Sequence, residues 1–368
     1  MTEWKLLNQD EKETLAALHE ETEVYGLFLP VANLQALTSK VAYKKIAMLY
    51  FHLEHCSGLP HYLEASESNN DLIARLVIDD IIQVKWNGRY VGGSEALPAL
   101  YGGDIFDADI VPNYLSMLSM QAIRFGWMLD QPDTTSLSTQ LYKYNTTPWD
   151  YLDRTNFYSK QSVKQFLFGS TSPHDLNMLE SAWTYSRSSE SKGWLAWMRP
   201  TQSMSKNGYE RTYKLYVSPV IEDLPLLFSK SLPIITGSTA ISFKIGSSLG
   251  GLLRPDKMVV YFDDFNSLVD AAALLEKECN TVRAQGVPFS SQLDARGLLS
   301  HGEDPLMIDF PEKIDTGSWR VIVSNELASA IILSKAAQLN WNQSVAFAKA
   351  RLLCAGIDMN NWCSLNRA

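Results

Sequence analysis

Apolar and polar positions follow different periods in the two parts of the chain. Up to residue 180 the apolar residues recur at helical spacing, which predicts helices over 10–25, 32–56 and 111–130 and a further helix within 151–169. After Gly193 the pattern changes to short strand-like runs, predicted over 194–199, 209–217, 240–245, 256–262 and 318–324. Helical spacing returns between and after these runs and predicts helices over 265–284, 324–338 and 342–354.

This change of period predicts two regions. The stretch 131–192 is rich in turn-forming residues and is the best place for a boundary. We expect a helix-rich region over 1–180, with a β-hairpin near 81–93 where alternating residues flank Asn87-Gly88. Residues 181–368 are expected to form an α+β domain, a mainly antiparallel sheet with packed helices. A doubly wound fold is disfavoured because the strands do not alternate strictly with helices.

Composition narrows the classes of partner. The chain has 368 residues, 46% of them hydrophobic, enough for one large domain or two ordinary ones. A net charge of −9 argues against a general nucleic-acid binder, although it allows one small basic cleft. No apolar run is long enough to span a membrane, and the charged start MTEWKLLNQDEKETL predicts no secretory signal. We therefore expect neither a nucleic acid nor a membrane as partner.

Cysteine, histidine and glycine motifs give little support to a metal or cofactor site. The four cysteines are scattered and predict free thiols in a reducing compartment; they are Cys56, Cys279, Cys354 and Cys363. In HLEHCSGLPH (52–61), two imidazoles could share a helix face, but the absence of an HExxH order favours surface histidines. The turn GSSLGG (246–251) lacks the order of a P-loop and is expected to be a flexible hairpin loop. We expect no metal and no cofactor.

Basic residues among apolar and aromatic ones mark the best candidate site. Lys214 and Tyr216 lie two apart in a predicted strand and therefore share a face, and Lys244 lies in a similar run. Arg254 follows the glycine-rich turn and offers a planar fork suited to phosphate. Together they could bind a phosphate-bearing substrate. The alternative is that the lysines are edge residues whose ammonium groups reach past an apolar layer to water.

A long irregular segment, GVPFSSQLDARGLLSHGEDP (286–305), is the second candidate. Long loops inside structured regions often carry function. Arg296 could add a phosphate contact, and His301 could act as an acid or base because imidazole titrates near neutral pH. The alternative is a surface loop with a solvated histidine, followed by Glu303 and Asp304.

From residue 193 onward the chain resembles the HopA-type family of bacterial proteins. This family includes type III secretion effectors and the HopA-like lyases of lanthipeptide and thioamitide biosynthesis. The resemblance is carried by the order of several pieces: LYKYNTTP (141–148), SKGWLAW (191–197), YKLYVSP (213–219), SFKIG (242–246), RPDKMVVYF (254–262) and the segment 286–305. It covers the second half of the chain well and the first half loosely.

The resemblance implies a fold similar to that of phosphothreonine lyases and a metal-independent β-elimination of phosphate from phosphoserine or phosphothreonine. Carried over by position, Lys244 is the base, Lys214 the enolate or phosphate partner, and Arg254 a phosphate clamp. Tyr216 stands where better-known lyases have a histidine acid, so either Tyr216 or His301 could protonate the leaving oxygen.

The partners implied are a phosphorylated precursor peptide and a separate Ser/Thr peptide kinase, since this sequence has no nucleotide motif. A lyase of this kind is expected in the bacterial cytoplasm. The alternative hypothesis is a type III secreted effector that binds or modifies a host protein. The charged, helix-like N-terminal segment of this chain is unlike the Ser-rich start of typical effectors, which weakens this alternative.

Overall fold

The protein is built of helices packed on antiparallel sheets. The computed structural model describes residues 2–11, 13, 24–30, 40–43, 73–74, 76–78, 82–96, 99–100, 113–131, 133–148, 157, 159–200, 212–304 and 317–365. The strands are β1 (Thr2–Leu6), β2 (Val24–Pro30), β3 (Lys40–Tyr43), β4 (Val84–Trp86), β5 (Arg89–Val91), β6 (Thr184–Tyr185), β7 (Trp194–Met198), β8 (Thr212–Val217), β9 (Ser242–Gly246), β10 (Met258–Phe262), β11 (Ser291–Gln292), β12 (Leu299–Asp304), β13 (Ile357–Asp358) and β14 (Cys363–Ser364). The helices are α1 (Tyr114–Met128), α2 (Thr134–Tyr142), α3 (Lys160–Phe168), α4 (Pro173–Ala182), α5 (Leu224–Gly237), α6 (Leu249–Leu253), α7 (Phe265–Glu278), α8 (Trp319–Ala336) and α9 (Trp341–Cys354).

The largest sheet has seven strands in the order β11-β12-β8-β10-β9-β7-β6. Every neighbouring pair in it is antiparallel. Smaller sheets join β1, β2 and β3, then β4 and β5, and then β13 and β14. The predicted α+β class, with a mainly antiparallel sheet and packed helices, is confirmed.

One face of the seven-stranded sheet carries the larger core. Its strands point alternate apolar side chains to this side, as the two-residue period of a strand requires. Helices α3, α4, α5 and α7 cover them. Fully buried members from the strands include Leu215, Val217, Phe243, Ile245 and Val260. Burial of such side chains contributes about 1.5–3 kcal/mol each relative to exposure.

The second core lies among α1, α2, α8 and α9. Trp319, the first residue of α8, connects it to the other face of the sheet, since its indole Nε1 donates to the Phe289 carbonyl at 2.9 Å. Gly302 of β12 leaves room for this ring, because a Cβ there would meet Trp319 at 2.6 Å. The helices therefore bring the start of α8 onto the face that carries the candidate lysines.

Most predicted elements of the second half are confirmed. Strands predicted over 194–199, 209–217, 240–245 and 256–262 are β7, β8, β9 and β10, and the helices predicted near 265, 324 and 342 are α7, α8 and α9. The helices predicted within 111–130 and 151–169 are α1 and α3. The hairpin at Asn87-Gly88 is also confirmed, with both residues in the left-handed region, at φ 46° and 82°.

Four predicted elements differ from the structure. Residues 318–324 were expected to form a strand, but from Trp319 they belong to α8, where burial among helices outweighs the strand preference of Val-Ile-Val. The helices predicted over 10–25 and 32–56 contain strand residues of β2 and β3. The segment 286–305 was expected to be irregular, yet it contains β11 and β12 at the sheet edge.

The connection between β9 and β10 is more ordered than the expected flexible loop. It contains the helical turn α6, whose N-cap Ser248 accepts from the Gly251 N–H at 3.3 Å. Gly246 and Gly251 pass so close that a Cβ on Gly246 would lie 2.5 Å from the Gly251 backbone. Glycine at both positions permits this approach.

Some predictions fall outside what the structure describes or stay predictions. The segment 52–61 and Cys56 lie outside the described residues. Cys279, Cys354 and Cys363 form no disulfide among the described residues. The boundary between 1–180 and 181–368 stays a prediction.

Candidate functional site

The two lysines and the tyrosine of the candidate cluster lie on one face of the sheet. Paired residues of antiparallel strands point to the same side. Val259 of β10 pairs with Tyr216 on one side and with Lys244 on the other. Tyr261, two residues further, pairs with Lys214. Strand β10 thus separates the lysines, but all four polar side chains project to the face opposite the larger core.

Lys244 is enclosed by aromatic rings. Its Nζ lies 4.4 Å from the centroid of the Trp194 ring and 5.3 Å from that of Tyr261. Burial first, and then the positive charges of Lys214 and Arg254, lower the pKa of Lys244 to about 8. Among the residues that the structure describes, none accepts a hydrogen bond from this amine. About a tenth of this amine is therefore neutral at pH 7, far more than for an ordinary lysine with a pKa of about 10.4.

Lys214 is held by a carboxylate on the neighbouring strand. Its Nζ lies 2.6 Å from the Asp304 carboxylate, and its side chain is 7% exposed. Asp304 also accepts from the Trp319 backbone N–H at 3.0 Å. The Ser318 side chain does not cap α8, so Asp304 supplies the anion at this helix N-terminus. Lys214 is thus a fixed positive charge.

Tyr216 lies on the same face two residues along β8 from Lys214, and it is almost fully buried, at 3% exposure. Burial, and after it the nearby Asp304 carboxylate, raises the pKa of Tyr216 well above its ordinary value. Its hydroxyl therefore stays protonated at neutral pH and can donate a hydrogen bond, while the raised pKa makes it a weaker acid than an ordinary tyrosine.

Arg254 belongs to a buried polar network that joins the sheet to α2. Its Nε and Nη2 donate to the two Asp256 oxygens, each at 2.8 Å, and Nη2 also donates to the Tyr142 hydroxyl at 2.8 Å. Arg320 Nη1 lies 3.0 Å from the same Asp256 carboxylate. Burial alone would raise the pKa of Asp256, but Arg320 and Arg254 hold it far below its usual range.

This network changes how Arg254 could bind an anion. The Nε–Nη2 edge, which is one of the two edges that can grip phosphate with paired hydrogen bonds, is occupied by Asp256. Nη1 has no acceptor among the residues that the structure describes, and the side chain is 31% exposed. A phosphate contact would therefore be made through Nη1.

His301 and Arg296 lie apart from this cluster. His301 is on β12 rather than in a loop, and it pairs with Leu215, so it points to the opposite face of the sheet from Lys214 and Tyr216. There its ring contacts Phe265 of α7, with centroids 5.1 Å apart. The Arg296 guanidinium donates to the carbonyls of Cys279, Asn280 and Val282, just beyond the end of α7. His301 and Arg296 therefore lie outside the cluster, and of the two residues considered as the acid, Tyr216 and His301, only Tyr216 is on the same face as the lysines.

Five site residues had no assigned role in the sequence: Trp194, Tyr142, Asp256, Arg320 and Asp304. Four of them stand inside pieces that carry the family resemblance, namely SKGWLAW, LYKYNTTP, RPDKMVVYF and the segment 286–305. The sequence offered no signal for Arg320, because it stands in a run expected to be a strand.

The site can bind an anion beside a weakly basic amine. Four cationic side chains, Lys214, Lys244, Arg254 and Arg320, gather around two carboxylates, Asp256 and Asp304. The excess of positive charge favours an anionic ligand, and Lys244 can accept a proton when neutral. Among the described residues, His, Cys, Asp and Glu side chains form no group of three suited to a metal. No helix in the described part of the chain is long and apolar enough to span a membrane.

Comparisons with known proteins give remote structural similarity. No family model matches the chain. No curated protein matches it either. An effector protein from Pseudomonas syringae pv. tomato strain DC3000 is similar in structure, with 11% identity and a TM-score of 0.43. An effector protein from Pseudomonas syringae pv. syringae strain 61 is similar with 11% identity and a TM-score of 0.39. Each match covers 68% of this chain and 98% of the effector chain.

Proposed function

We propose that the protein is a phosphoserine/phosphothreonine lyase that eliminates phosphate from a phosphorylated precursor peptide to give dehydroalanine or dehydrobutyrine. The observation that carries the proposal is the Lys244 amine, whose pKa is lowered to about 8 and which lies among Lys214, Arg254 and two aromatic rings. An ordinary lysine is almost fully protonated at neutral pH and is a poor base. Here burial and neighbouring cations supply a neutral amine beside charges that attract phosphate.

In the proposed step, neutral Lys244 removes the proton from the Cα of the phosphorylated residue. The electron pair left on Cα forms the Cα–Cβ double bond, and the Cβ–O bond breaks with its electrons leaving on phosphate. Negative charge that develops on the adjacent carbonyl is stabilised by the fixed ammonium of Lys214. Lys214 is suited to this role because Asp304 holds it in place.

The leaving phosphate takes the other contacts. Arg254 Nη1 contacts a phosphate oxygen, while Asp256 fixes the rest of the guanidinium. Tyr216, which burial keeps protonated, donates to the leaving oxygen. The roles of Lys244, Lys214, Tyr216 and Arg254 remain proposals, as do the peptide substrate, the separate kinase that phosphorylates it and the location in a bacterial cytoplasm.

Mass spectrometry of a phosphopeptide incubated with the protein tests the proposal. Elimination lowers the mass of the peptide by that of phosphoric acid and leaves a dehydroamino acid, which can be identified by its reaction with an added thiol. Hydrolysis instead restores the hydroxyl of the serine or threonine. We expect elimination by the wild type and a loss of about 10²–10⁴-fold in Lys244→Ala, the usual contribution of a general base. Lys277→Ala, at an exposed lysine of α7, is the matched control and should keep its activity. Full elimination by Lys244→Ala would refute the mechanism.

The second candidate is an effector that binds or modifies a host protein. The two structurally similar proteins described above are both effector proteins. The two candidates make different predictions. Detection of the protein in secretion supernatants of its native host, together with no elimination on any phosphopeptide in a sequence-diverse library, would favour the effector over the lyase.

A further inference from the structure

Cations and aromatic rings alternate in a row across the site. The guanidinium carbons of Arg320 and Arg254 lie 4.6 and 5.3 Å from the centroid of the Tyr142 ring. Arg254 and Lys244 in turn lie 5.2 and 4.4 Å from the centroid of Trp194. Tyr261 continues the row to Lys214. The aromatic rings thus add to the attraction that the carboxylates Asp256 and Asp304 exert on these cations.

Trp194 lies in this row between Lys244, the proposed base, and Arg254, the proposed phosphate contact. Its strand β7 pairs with β9 so that Trp194 is opposite Gly246 and diagonal to Lys244, on the same face. It is the ring shared by Lys244 and Arg254. Each of these two cations has a nitrogen for which the described residues provide no acceptor.

We infer that Trp194 is a positioning residue of this site: its indole holds the Lys244 amine and the Arg254 guanidinium on one aromatic surface and keeps water away from the amine. Its two effects on Lys244 act in opposite directions. Attraction between ring and ammonium favours the charged form by about 0.5–2 kcal/mol. Exclusion of water favours the neutral form and can shift a buried lysine by up to about 3–5 pKa units.

Exclusion of water is the larger effect here. Among the causes that act on the pKa of Lys244, burial is the largest. Of the charged groups that face the amine, Lys214 and Arg254 lower its pKa, while Asp256 and Asp304 raise it. Removal of the indole should admit water without changing these charges. The pKa of Lys244 should therefore rise toward its ordinary value.

As an account of catalysis the inference rests on the proposed lyase function, but its test does not need turnover. The full-length protein is treated with a limiting amount of an amine-acylating reagent across a pH series, and acylation of Lys244 is measured by peptide mass spectrometry against exposed Lys277. Acylation follows the neutral fraction of each amine, so its half-point reports the pKa. If the wild type did not eliminate phosphate, the proposed function would be refuted, but this measurement of the Lys244 pKa would still be valid.

Trp194→Ala and Trp194→Gln are expected to raise the half-point for Lys244 by about one pH unit or more, since both remove the apolar ring. Trp194→Phe should stay within a few tenths of the wild type because it keeps a ring. Trp86→Ala, which removes an exposed tryptophan far along the chain, is the control for loss of an indole. Circular dichroism establishes that each variant is folded. An unchanged half-point in folded Trp194→Ala or Trp194→Gln, or an equal rise in Trp194→Phe, would overturn the inference.

Discussion

The Lys214 ammonium and the Asp304 carboxylate face each other on neighbouring strands at 2.6 Å. Lys214 is nearly buried, and Asp304 also accepts the first backbone N–H of α8, from Trp319. One carboxylate therefore fixes a site cation and the start of a core helix. Its removal should affect both.

Asp304→Asn is expected to destabilise the protein by about 1–3 kcal/mol, because an amide can still accept from Trp319 but leaves a buried ammonium without its counter-charge. Urea unfolding measures the change. Asp264→Asn is the control, since Asp264 caps α7 at the surface and asparagine caps as well. If Asp304→Asn matched the control, the Lys214 pair would not contribute to stability.

Asp256→Asn should lower the free energy of unfolding by more than Asp304→Asn. It leaves Arg254 and fully buried Arg320 facing each other without an anion, and breaking a buried ion pair typically costs about 3–5 kcal/mol. Because the folded pKa of Asp256 is lowered, its stabilisation is full above the unfolded pKa of about 3.9 and is lost as pH falls toward the folded pKa. The difference between wild type and variant should thus persist at pH 7 and shrink in acid.

Denaturant unfolding at neutral and acidic pH checks this prediction. Asp223→Asn is the matched control, since Asp223 forms a similar two-bond pair with exposed Arg283. Such surface pairs contribute little. A loss in Asp256→Asn no larger than in Asp223→Asn would mean that the two arginines do not need the carboxylate.

The sequence predicted the strands that carry Trp194, Lys214, Tyr216 and Lys244, but it predicted neither β12 nor the order of the strands. Alternation along one strand places Lys214 and Tyr216 on one face without further information. Lys244 joins them only because β10 pairs with both β8 and β9, which is a long-range choice that no local pattern encodes.

The wrong prediction of a loop at His301 and the missing role of Tyr142 have related causes. His301 was expected in a loop, where side-chain direction is open, yet in β12 it lies one residue from Ser300 and Gly302 and so points to the opposite face. Tyr142 reaches Arg254 across 112 positions of sequence. Its contact follows from the packing of α2, to which the sequence gives no guide.

Lys257 should affect how the free energy of unfolding depends on pH. It is fully buried, donates to the Pro219 carbonyl and to Gln285, and burial lowers its pKa to about 7. Between that pH and its unfolded pKa of about 10.4 the unfolded chain binds more protons, so this group makes stability rise with pH.

Lys257→Met should therefore reduce the rise in unfolding free energy between about pH 7 and about pH 9.5, by up to about 1.4 kcal/mol per pH unit. Urea unfolding at both pH values measures it. Exposed Lys277→Met should keep the wild-type slope. A wild-type slope in Lys257→Met as well would contradict a lowered pKa at this position.

The pH dependence of elimination is expected to report Lys244. As a base, Lys244 acts when neutral, so kcat/KM should rise with pH and reach half its plateau near 8. The second ionisation of the phosphate ester, near pH 6, contributes a separate and lower limb. Bound phosphate dianion raises the pKa of a nearby amine, so the half-point of kcat should lie above that of kcat/KM. Stopped assays on one phosphopeptide across the pH range measure both. A kcat/KM profile that is flat from pH 7 to pH 9 would exclude Lys244 as the base.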